Sequence, residues 1–554
     1  MEGAKGEPSA NGRRWTLEIT GMTCGDCARS VDRSLRALDG VHESATSYET
    51  KTSVVIASPA VTQLDLTGAV TAHGYGVARI GSSDFESVVE GGTFDLAIIG
   101  TGGAGMAAAI RAAESGKRVA IIDAGTLGGT CVNIGCVPSK TLIRAAEARH
   151  RAQRSAFAGV TVSAGPTDLA ALIAQKDLLV AELRGAKYAA VLDALPSVTR
   201  LRGRARFAPP GTLLVDDAPL DAAKILIATG SSPAIPAIDG LRETPFVTSQ
   251  TLMELTSLPE HLIVLGAGYV GLELGQAFAR LGSRVTVLAR SRLLSGEDPD
   301  LGDELARLLR AEGLDVRTQT SADRVRYAGG FAVDVSGPDG PATLSGDQLL
   351  VATGRAPNTG GLGLGEIGVE LTARGELVVD EHLRTTREHI YGAGDVIGDP
   401  TFVYVAAYAG NLAADNAVNG AGRTVELDVV PQVTFTDPAV ATVGLTEAQA
   451  RARGFDVMVS KLAMSHVPRA IAARDTRGFI KLVADRADKR FLGAQILAPE
   501  AGELIQPIVM AMKFGVRTDQ LASLLFPYLT ATEGLKLAAQ TFDKDVSKLS
   551  CCAA

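Results

Sequence analysis

The sequence predicts an α/β protein with two Rossmann-like domains, preceded by a small ferredoxin-like βαββαβ domain. Two apolar strand patterns each lead into a glycine-rich turn and a helical pattern, within residues 94–123 and 261–290. A separate set of short strand and helix patterns occupies residues 14–81. The chain of 554 residues is long enough for three or four domains of ordinary size.

Composition and charge exclude several classes of partner. The net charge is −8 and no long Lys/Arg cluster occurs, which argues against nucleic acid or an anionic membrane as a partner. The N-terminus lacks a hydrophobic signal core, and glycines interrupt the longest apolar run, residues 96–110. We therefore expect no stable membrane insertion and a cytoplasmic location.

The six cysteines form three close pairs, Cys24/Cys27, Cys131/Cys136 and Cys551/Cys552, which favours metal or redox chemistry over a secreted disulfide framework. The first pair lies in the loop that enters the first predicted helix, residues 27–38. This spacing suits a soft cation, although a thioredoxin-like redox pair is the alternative. Residues 14–80 resemble the heavy-metal-associated domain, with strands at 15–20 and 51–56.

The first Rossmann pattern carries a complete dinucleotide fingerprint. A strand at residues 95–99 is followed by glycines that allow close approach of a pyrophosphate to a helix N-terminus, and Asp123 ends the next strand, where it can accept a hydrogen bond from a ribose hydroxyl. The predicted contacts in this turn are Gly100, Gly102, Gly103, Ala104 and Gly105.

The second Rossmann pattern repeats the glycines, Gly266, Gly268 and Gly271, but not the acid. Ala289 stands where NAD-binding sites usually carry Asp or Glu. Arg290 and Arg292 offer positive charge for a 2′-phosphate, so NADPH is preferred over NADH. The alternative is that both arginines are merely solvated on a surface turn.

Cys131 and Cys136 follow directly on the first fingerprint and open a helical pattern whose N-terminal dipole favours a thiolate. A metal site or two unrelated core cysteines are the alternatives. Two nucleotide-binding patterns beside a thiol pair indicate electron flow from a pyridine nucleotide through a flavin to a redox-active disulfide.

With these motifs, residues 94–545 resemble the pyridine nucleotide–disulfide oxidoreductases. The resemblance implies bound FAD, an α+β dimerisation domain, a homodimer, and Asp395 at the FAD ribitol. It also implies that Tyr269 covers the flavin and that Lys140 pairs with Glu273 near it; core packing for Tyr269 and simple solvation for Lys140 are the alternatives. The remaining cofactor contacts come from the matching motifs: Gly129, Thr130, Thr229, Gly230, Gly354, Arg355 and Gly394.

Two departures near the C-terminus indicate the substrate. Tyr528 replaces the histidine that thiol-reducing relatives use, and a phenol titrating near 10 is poorly suited to protonate a leaving thiol. Cys551 and Cys552 on the terminal segment are suited to passing on a soft metal. These features resemble the mercury(II)-reducing branch of the family, which implies Hg(II) as substrate, small thiols as its carriers, and Tyr188 with Tyr528 near the metal.

The same resemblance implies that Cys136 is the thiol beside the flavin, that Cys131 is the outer exchanging thiol, and that active sites are shared between subunits. Two other functions stay open: reduction of a small or protein disulfide, and metal carriage without catalysis. The domains predicted are a flexible N-terminus 1–13, a heavy-metal-associated domain 14–81, a linker 82–93, an FAD domain 94–240 with a second part 356–427, an NADPH domain 241–355, a dimerisation domain 428–545 and a tail 546–554.

Overall fold

A computed structural model describes residues 13–22, 25–48, 50–58, 60–84 and 93–546. Cys24, Cys551 and Cys552 lie outside these residues, as do most of the predicted N-terminal segment, linker and tail. Within the described chain we distinguish four units. They are the N-terminal unit (13–84), the first nucleotide unit (93–240 and 356–427), the second nucleotide unit (241–355) and the C-terminal unit (428–546).

The N-terminal unit has the predicted βαββαβ order, with its four strands in one antiparallel sheet. Its strands are Arg13–Thr20, Val41–Ser47, Thr52–Ala57 and Gly76–Asp84, and its helices are Gly25–Arg36 and Gln63–Thr71. The first helix begins and ends two residues before the predicted 27–38. The predicted end was wrong because Leu38 continues the apolar pattern, although it packs against the core from a turn that follows the helix.

The first nucleotide unit is built on a five-stranded parallel sheet. In spatial order its strands are Ile390–Gly392, Ala222–Ile227, Phe94–Ile99, Val119–Asp123 and Val198–Arg202. Its helices are Gly103–Glu114, Gly129–Ile134, Cys136–Gln153, Leu169–Arg184, a π-helical turn Gly185–Ala189, Ala190–Asp193 and Val403–Asn419. The helices Gly103–Glu114 and Val403–Asn419 pack against one face of this sheet, and a smaller antiparallel sheet packs against the other, so its central strands are apolar almost throughout.

The second nucleotide unit repeats this design with a second five-stranded parallel sheet. Its strands are Val247–Thr248, Gln348–Val351, His261–Leu265, Arg284–Leu288 and Asp315–Arg317, and its helices are Ser249–Leu252, Tyr269–Leu281 and Pro299–Glu312. Each nucleotide unit also carries a three-stranded antiparallel sheet: Ala205–Ala208, Thr212–Val215 and Ala218–Leu220 in the first, and Ser321–Tyr327, Phe331–Gly337 and Gly340–Gly346 in the second.

The C-terminal unit is an antiparallel sheet covered by helices, an α+β arrangement as predicted. Its strands in spatial order are Gln432–Thr434, Ala439–Gly444, Phe491–Ala498, Phe479–Asp485 and Val457–Ala463. Its helices are Glu447–Ala452, Pro468–Ala473, Ala501–Lys513, Thr518–Ser523 and Glu533–Gln540. Across the described residues, no helix has the length and apolar character needed to cross a bilayer.

Candidate functional site

The first glycine turn joins the strand Phe94–Ile99 to the helix Gly103–Glu114 and has no space for a side chain at Gly100 or Gly105. Gly100 has φ +112, and a Cβ placed there would lie 2.3 Å from the carbonyl oxygen of Ala228. A Cβ on Gly105 would lie 2.0 Å from the carbonyl oxygen of Gly100. The turn therefore requires glycine, and it presents a helix N-terminus on which a pyrophosphate can bind.

Asp123 lies at the end of the neighbouring strand, as predicted for a ribose acceptor. Its carboxylate accepts hydrogen bonds from the Thr101 hydroxyl at 2.9 Å and from the backbone N–H of Gly125 at 2.9 Å. Because a carboxylate has about four acceptor positions, it retains capacity for a ligand hydroxyl. Asp123 lines a cavity of about 520 Å³ in the first nucleotide unit.

The redox loop, residues 128–140, carries the central thiol pair. Gly128 adopts φ +101 and precedes the short helix Gly129–Ile134, which holds Cys131. Cys136 is the first residue of the helix Cys136–Gln153. The two cysteines are separate thiols in this structure, with a hydrogen bond between their side chains.

The two thiols differ in acidity because of that hydrogen bond. It stabilises the thiolate of Cys136 and, with the positive charge of Lys140, lowers the pKa of Cys136 to about 7. The same hydrogen bond, together with burial, raises the pKa of Cys131. Near neutral pH, Cys136 therefore carries thiolate and Cys131 retains its proton.

A cavity of about 290 Å³ brings most of the predicted site together between the two nucleotide units. The predicted residues that line it are Gly100, Gly102, Gly103, Ala104, Asp123, Gly129, Thr130, Cys131, Cys136, Lys140, Thr229, Gly230, Tyr269, Glu273, Arg355, Gly394 and Asp395. It shares Asp123, Gly129 and Thr229 with the larger cavity of the first unit. The combined space extends from Asp123 to Cys136, which suits an elongated dinucleotide.

The cavity does not include every predicted residue. Gly105 lies behind the first turn, and the other predicted contacts that line neither cavity are Tyr188, Gly266, Gly268, Gly271, Arg290, Arg292, Gly354 and Tyr528. A larger cavity of about 700 Å³ lies against the C-terminal unit and contains none of the predicted residues.

Lys140 and Glu273 form the predicted ion pair, with 2.7 Å between Lys140 Nζ and Glu273 Oε2. The Glu273 side chain is 4% exposed, and its other oxygen accepts a hydrogen bond from the backbone N–H of Phe435 at 2.9 Å. Lys140 Nζ also lies 4.6 Å from the centre of the Phe435 ring. Sequence reasoning missed Phe435 because no motif marks it.

Asp395 belongs to a polar chain at the opposite wall of the cavity. The Ser231 hydroxyl donates to Asp395 Oδ2 at 2.6 Å and accepts from Arg355 Nε at 2.7 Å. Arg355 also donates to the backbone carbonyl of Ser231. Ser231 was not predicted, although it directly follows the predicted Thr229 and Gly230.

The second glycine turn reproduces the geometry of the first. Gly266 has φ +112 and a Cβ there would lie 2.3 Å from the carbonyl oxygen of Ala352. A Cβ on Gly271 would lie 2.1 Å from the carbonyl oxygen of Gly266. Tyr269 is the first residue of the helix Tyr269–Leu281, is 38% exposed, and reaches the central cavity.

The end of the neighbouring strand in the second unit carries no acid. Ala289 is buried there, and Arg290 and Arg292 are exposed. Neither arginine side chain forms an ion pair or a hydrogen bond within the described part of the chain. Their charges are therefore available to an anionic group of a ligand.

The two predicted tyrosines lie in different environments. Tyr188 is half-buried in the π-helical turn Gly185–Ala189, and burial together with the charges of Cys131 and Cys136 raises its pKa. Tyr188 therefore lies near the thiol pair. Tyr528 is 56% exposed on the C-terminal unit and lines neither cavity of its own chain.

The outer thiols are described only in part. Cys27 is half-buried in the first turn of the helix Gly25–Arg36, whereas Cys24, Cys551 and Cys552 lie outside the described residues. Over the residues that the structure covers, no three side chains of His, Cys, Asp or Glu gather as a metal site.

Comparison with protein families divides the chain in the same way as its fold. Residues 94–410 match the pyridine nucleotide-disulphide oxidoreductase family, residues 430–539 match the dimerisation domain of that family, and residues 16–76 match the heavy-metal-associated domain. The match to the dimerisation domain supports homodimer formation.

Individual relatives are similar over nearly the whole chain. Mercuric reductase of Acidithiobacillus ferrooxidans is 47% identical over 97% of this chain and 98% of its own length. Mercuric reductase of Streptomyces lividans is 50% identical over 83% of this chain and 98% of its own length. Among solved structures, a Cu(II) complex of the HOCl-induced flavoprotein disulfide reductase RclA from Escherichia coli is 33% identical with a TM-score of 0.73, covering 81% of this chain and 100% of that one.

Proposed function

Since this chain belongs to the pyridine nucleotide–disulfide oxidoreductases, and its relatives over nearly the full length are mercuric reductases, we propose that it reduces thiol-bound Hg(II) to volatile Hg(0) with electrons from NADPH. FAD is the proposed intermediate carrier, and detoxification of mercury in the cytoplasm is the proposed role. The observation that carries the proposal is the unequal thiol pair in a cavity bordered by both nucleotide units.

The residues of the first unit fit FAD. Its glycine turn excludes side chains at Gly100 and Gly105, so the backbone there can approach a pyrophosphate. Asp123 would accept from a ribose hydroxyl, and Asp395 would face the ribitol. The second unit would hold NADPH, with Arg290 and Arg292 toward the 2′-phosphate. When bound, these cofactors supply two electrons to the thiol pair or to a metal held by it.

Cys131 and Cys136 provide the metal site once their disulfide has been reduced. Two sulfur ligands suit a soft ion. Each transfer is a ligand exchange in which an incoming sulfur forms a bond to Hg(II) as an outgoing sulfur releases it, and the displaced thiolate takes up the proton that the incoming thiol loses. Cys136 enters this exchange as thiolate at neutral pH.

Cys551 and Cys552 are proposed to capture Hg(II) from small thiols and to pass it to Cys131 and Cys136. Cys131 is the outer exchanging thiol and Cys136 is the thiol beside the flavin. After the bound ion has gained two electrons, neutral Hg(0) has little affinity for thiolate and leaves. The hydroxyls of Tyr188 and Tyr528 are proposed to steady the ion during transfer, so Tyr528→Phe with full turnover would count against that role.

The homodimer is proposed to share its active sites. Tyr528 lies away from the cavity of its own chain, and exposed apolar side chains surround it, including Leu525 at 97% exposed. A partner surface that covers these side chains would bring Tyr528 and the terminal cysteines toward the other subunit's thiol pair. In mixed dimers, a Cys136→Ala chain and a Cys551→Ala/Cys552→Ala chain should then restore activity together; no restoration argues against sharing.

The deciding experiment measures NADPH oxidation by the purified protein with Hg(II) in excess small thiol, while Hg(0) vapour is trapped and counted. One Hg(0) for each NADPH oxidised supports the proposal. Oxidised glutathione and lipoamide are run as rival acceptors. Turnover on either disulfide without Hg(0) would make the chain a disulfide reductase, as the structurally similar RclA is named. Bound flavin in either case excludes a metal carrier without catalysis.

A further inference from the structure

The N-terminal unit contacts the first nucleotide unit at two places. Glu43, on the strand Val41–Ser47, lies 3.3 Å from Arg202, measured from Oε1 to the guanidinium nitrogen, at the end of the strand Val198–Arg202. Gly25, at the start of the helix Gly25–Arg36, lies beside Leu178, since an added Cβ would be 4.0 Å from Leu178 Cδ1. One contact is electrostatic and the other is apolar.

Arg184 is the last residue of the helix Leu169–Arg184 and contacts the redox loop. Its guanidinium donates to the side-chain oxygen of Asn133 at 3.2 Å, and Asn133 lies between Cys131 and Cys136 in the sequence. Burial raises the pKa of Asp32 on the helix Gly25–Arg36, and the positive charge of Arg184 is the weakest of the influences that oppose this rise. The helix that Gly25 approaches therefore ends beside the redox loop.

The contacted helix Leu169–Arg184 continues directly into the π-helical turn that holds Tyr188. Ten residues separate Leu178 from Tyr188, which corresponds to about 15 Å along a helix. Gly25 directly follows Cys24 in the sequence. Cys27 lies in the first turn of the helix that Gly25 begins, so it is close to the contact with Leu178.

The contact between the N-terminal unit and the first nucleotide unit is weak because its side chains stay largely exposed. Both charged groups of the Glu43–Arg202 pair are about half exposed, and an exposed ion pair of this kind changes an equilibrium less than about fivefold. Leu178 remains 43% exposed despite Gly25. Such an interface forms and separates rapidly, which suits a unit that must also meet metal carriers in solution.

From these contacts we infer that the helix Leu169–Arg184, with Arg202, is a reversible docking surface for the chain's own N-terminal unit. Glu43 meets Arg202, and Gly25 meets Leu178. The occupant is the N-terminal unit of the same subunit. The inference deepens the proposed function, on which it rests for the identity of the metal.

Zero-length carbodiimide coupling of the intact dimer tests the docking without using catalysis. Arg202→Lys retains the charge and allows an amide bond to Glu43, which peptide mass spectrometry detects. The matched control is Arg204→Lys, because Arg204 is also exposed and lies only two residues away. Coupling of Glu43 to position 202 in the first variant is expected to exceed any coupling of Glu43 to position 204 in the control by at least fivefold.

A charge swap provides the second arm. Glu43→Lys combined with Arg202→Glu should couple as well as the single variant Arg202→Lys, whereas Glu43→Lys combined with Arg202→Lys should give no product. Equal coupling at positions 202 and 204 would overturn the docking surface. Mixed dimers of ¹⁴N and ¹⁵N chains would overturn the same-subunit assignment if the coupled peptides carry different labels.

The failure of this inference can be separated from the failure of the proposed function. NADPH-dependent release of Hg(0) from small-thiol complexes is measured on the same preparations, and neither Glu43 nor Arg202 belongs to the proposed catalytic machinery. Coupling without Hg(0) release would support docking and refute the reductase. Hg(0) release with equal coupling at 202 and 204 would refute docking alone.

Discussion

The two nucleotide units use one turn geometry for two different purposes. Gly100 and Gly266 have the same φ of +112, and a Cβ on either would lie 2.3 Å from a carbonyl oxygen of a neighbouring loop. A Cβ added to Gly105 would lie 2.0 Å from the Gly100 carbonyl oxygen, and one added to Gly271 would lie 2.1 Å from the Gly266 carbonyl oxygen. The turn itself therefore does not distinguish the nucleotides.

The difference lies at the two positions that surround the turn. Asp123 ends the second strand of the first unit, where the second unit has Ala289 followed by Arg290. Gly103 begins the helix of the first unit beside Val403, whereas Tyr269 begins the helix of the second unit and reaches the cavity. Because the glycines are common to both units, we expect the strand end and the first helical residue to decide which nucleotide each unit binds.

Alanine at Gly105 or Gly271 should produce the largest effect, and the two variants should lose different cofactor functions. Gly105→Ala places a Cβ 2.0 Å from the Gly100 carbonyl oxygen, so we expect protein without bound flavin and without activity. Gly271→Ala should retain flavin but lose its reduction by NADPH. Absorbance of the purified protein and anaerobic titration measure both. Gly165→Ala, which has open space, is the control; a flavin-loaded Gly105→Ala protein would contradict the assignment.

Replacing Arg290 and Arg292 should test whether the strand end of the second unit sets the preference for NADPH over NADH. Each charge-assisted hydrogen bond to a phosphate contributes about 1.5–3 kcal/mol, so Arg290→Ala/Arg292→Ala should lower kcat/KM for NADPH by about a hundredfold or more and leave that for NADH nearly unchanged. Steady-state kinetics with both nucleotides measure the ratio. Arg284→Ala removes a charge at the other end of the same strand as control. A wild-type preference for NADH would refute the assignment.

The thiol pair lies where the two units meet. The pH dependence of Cys136 alkylation should reveal how strongly the charge of Lys140 stabilises its thiolate. Because the pKa of Cys136 is lowered to about 7, the thiolate is present above that pH and lost below it. Alkylation of Cys136 in the reduced protein should therefore rise through pH 7. Lys140→Met removes a nearby positive charge, so its midpoint should move upward and alkylation at pH 7 should slow several-fold. Peptide mass spectrometry measures the rate, with Lys117→Met as control; an unchanged midpoint would contradict the role of Lys140.

Changing the partner of Lys140 in the second unit should have the smallest effect and the opposite sign. The negative charge of Glu273 raises the pKa of Cys136, but it is the weakest of the named influences. Glu273→Gln should move the alkylation midpoint slightly downward, while its oxygen still accepts from the Phe435 N–H. An upward movement would mean that the variant had displaced Lys140 from Cys136.

Much of the fold and the site was predictable because the responsible constraints are local. Glycine spacing, strand alternation and the helix after Cys136 act within about 30 residues, so both nucleotide units follow from the sequence pattern. The short helix that holds Cys131 was not predicted. The Lys140–Glu273 pair spans 133 positions, and only resemblance to a family connected its members in advance. Neither Phe435 nor Ser231 was predicted as a site residue, although Ser231 directly follows the predicted Thr229 and Gly230.

By itself, the sequence determined the two nucleotide units, the order of the N-terminal unit, and the positions of three thiol pairs along the chain. Tertiary structure alone decided the backbone amide that holds Glu273, the Arg184–Asn133 contact, and the different acidities of Cys131 and Cys136. The physical reason is that hydrogen bonds, burial and charge depend on distances between segments far apart in sequence. A local pattern specifies an element, but only packing specifies which charge meets which thiol.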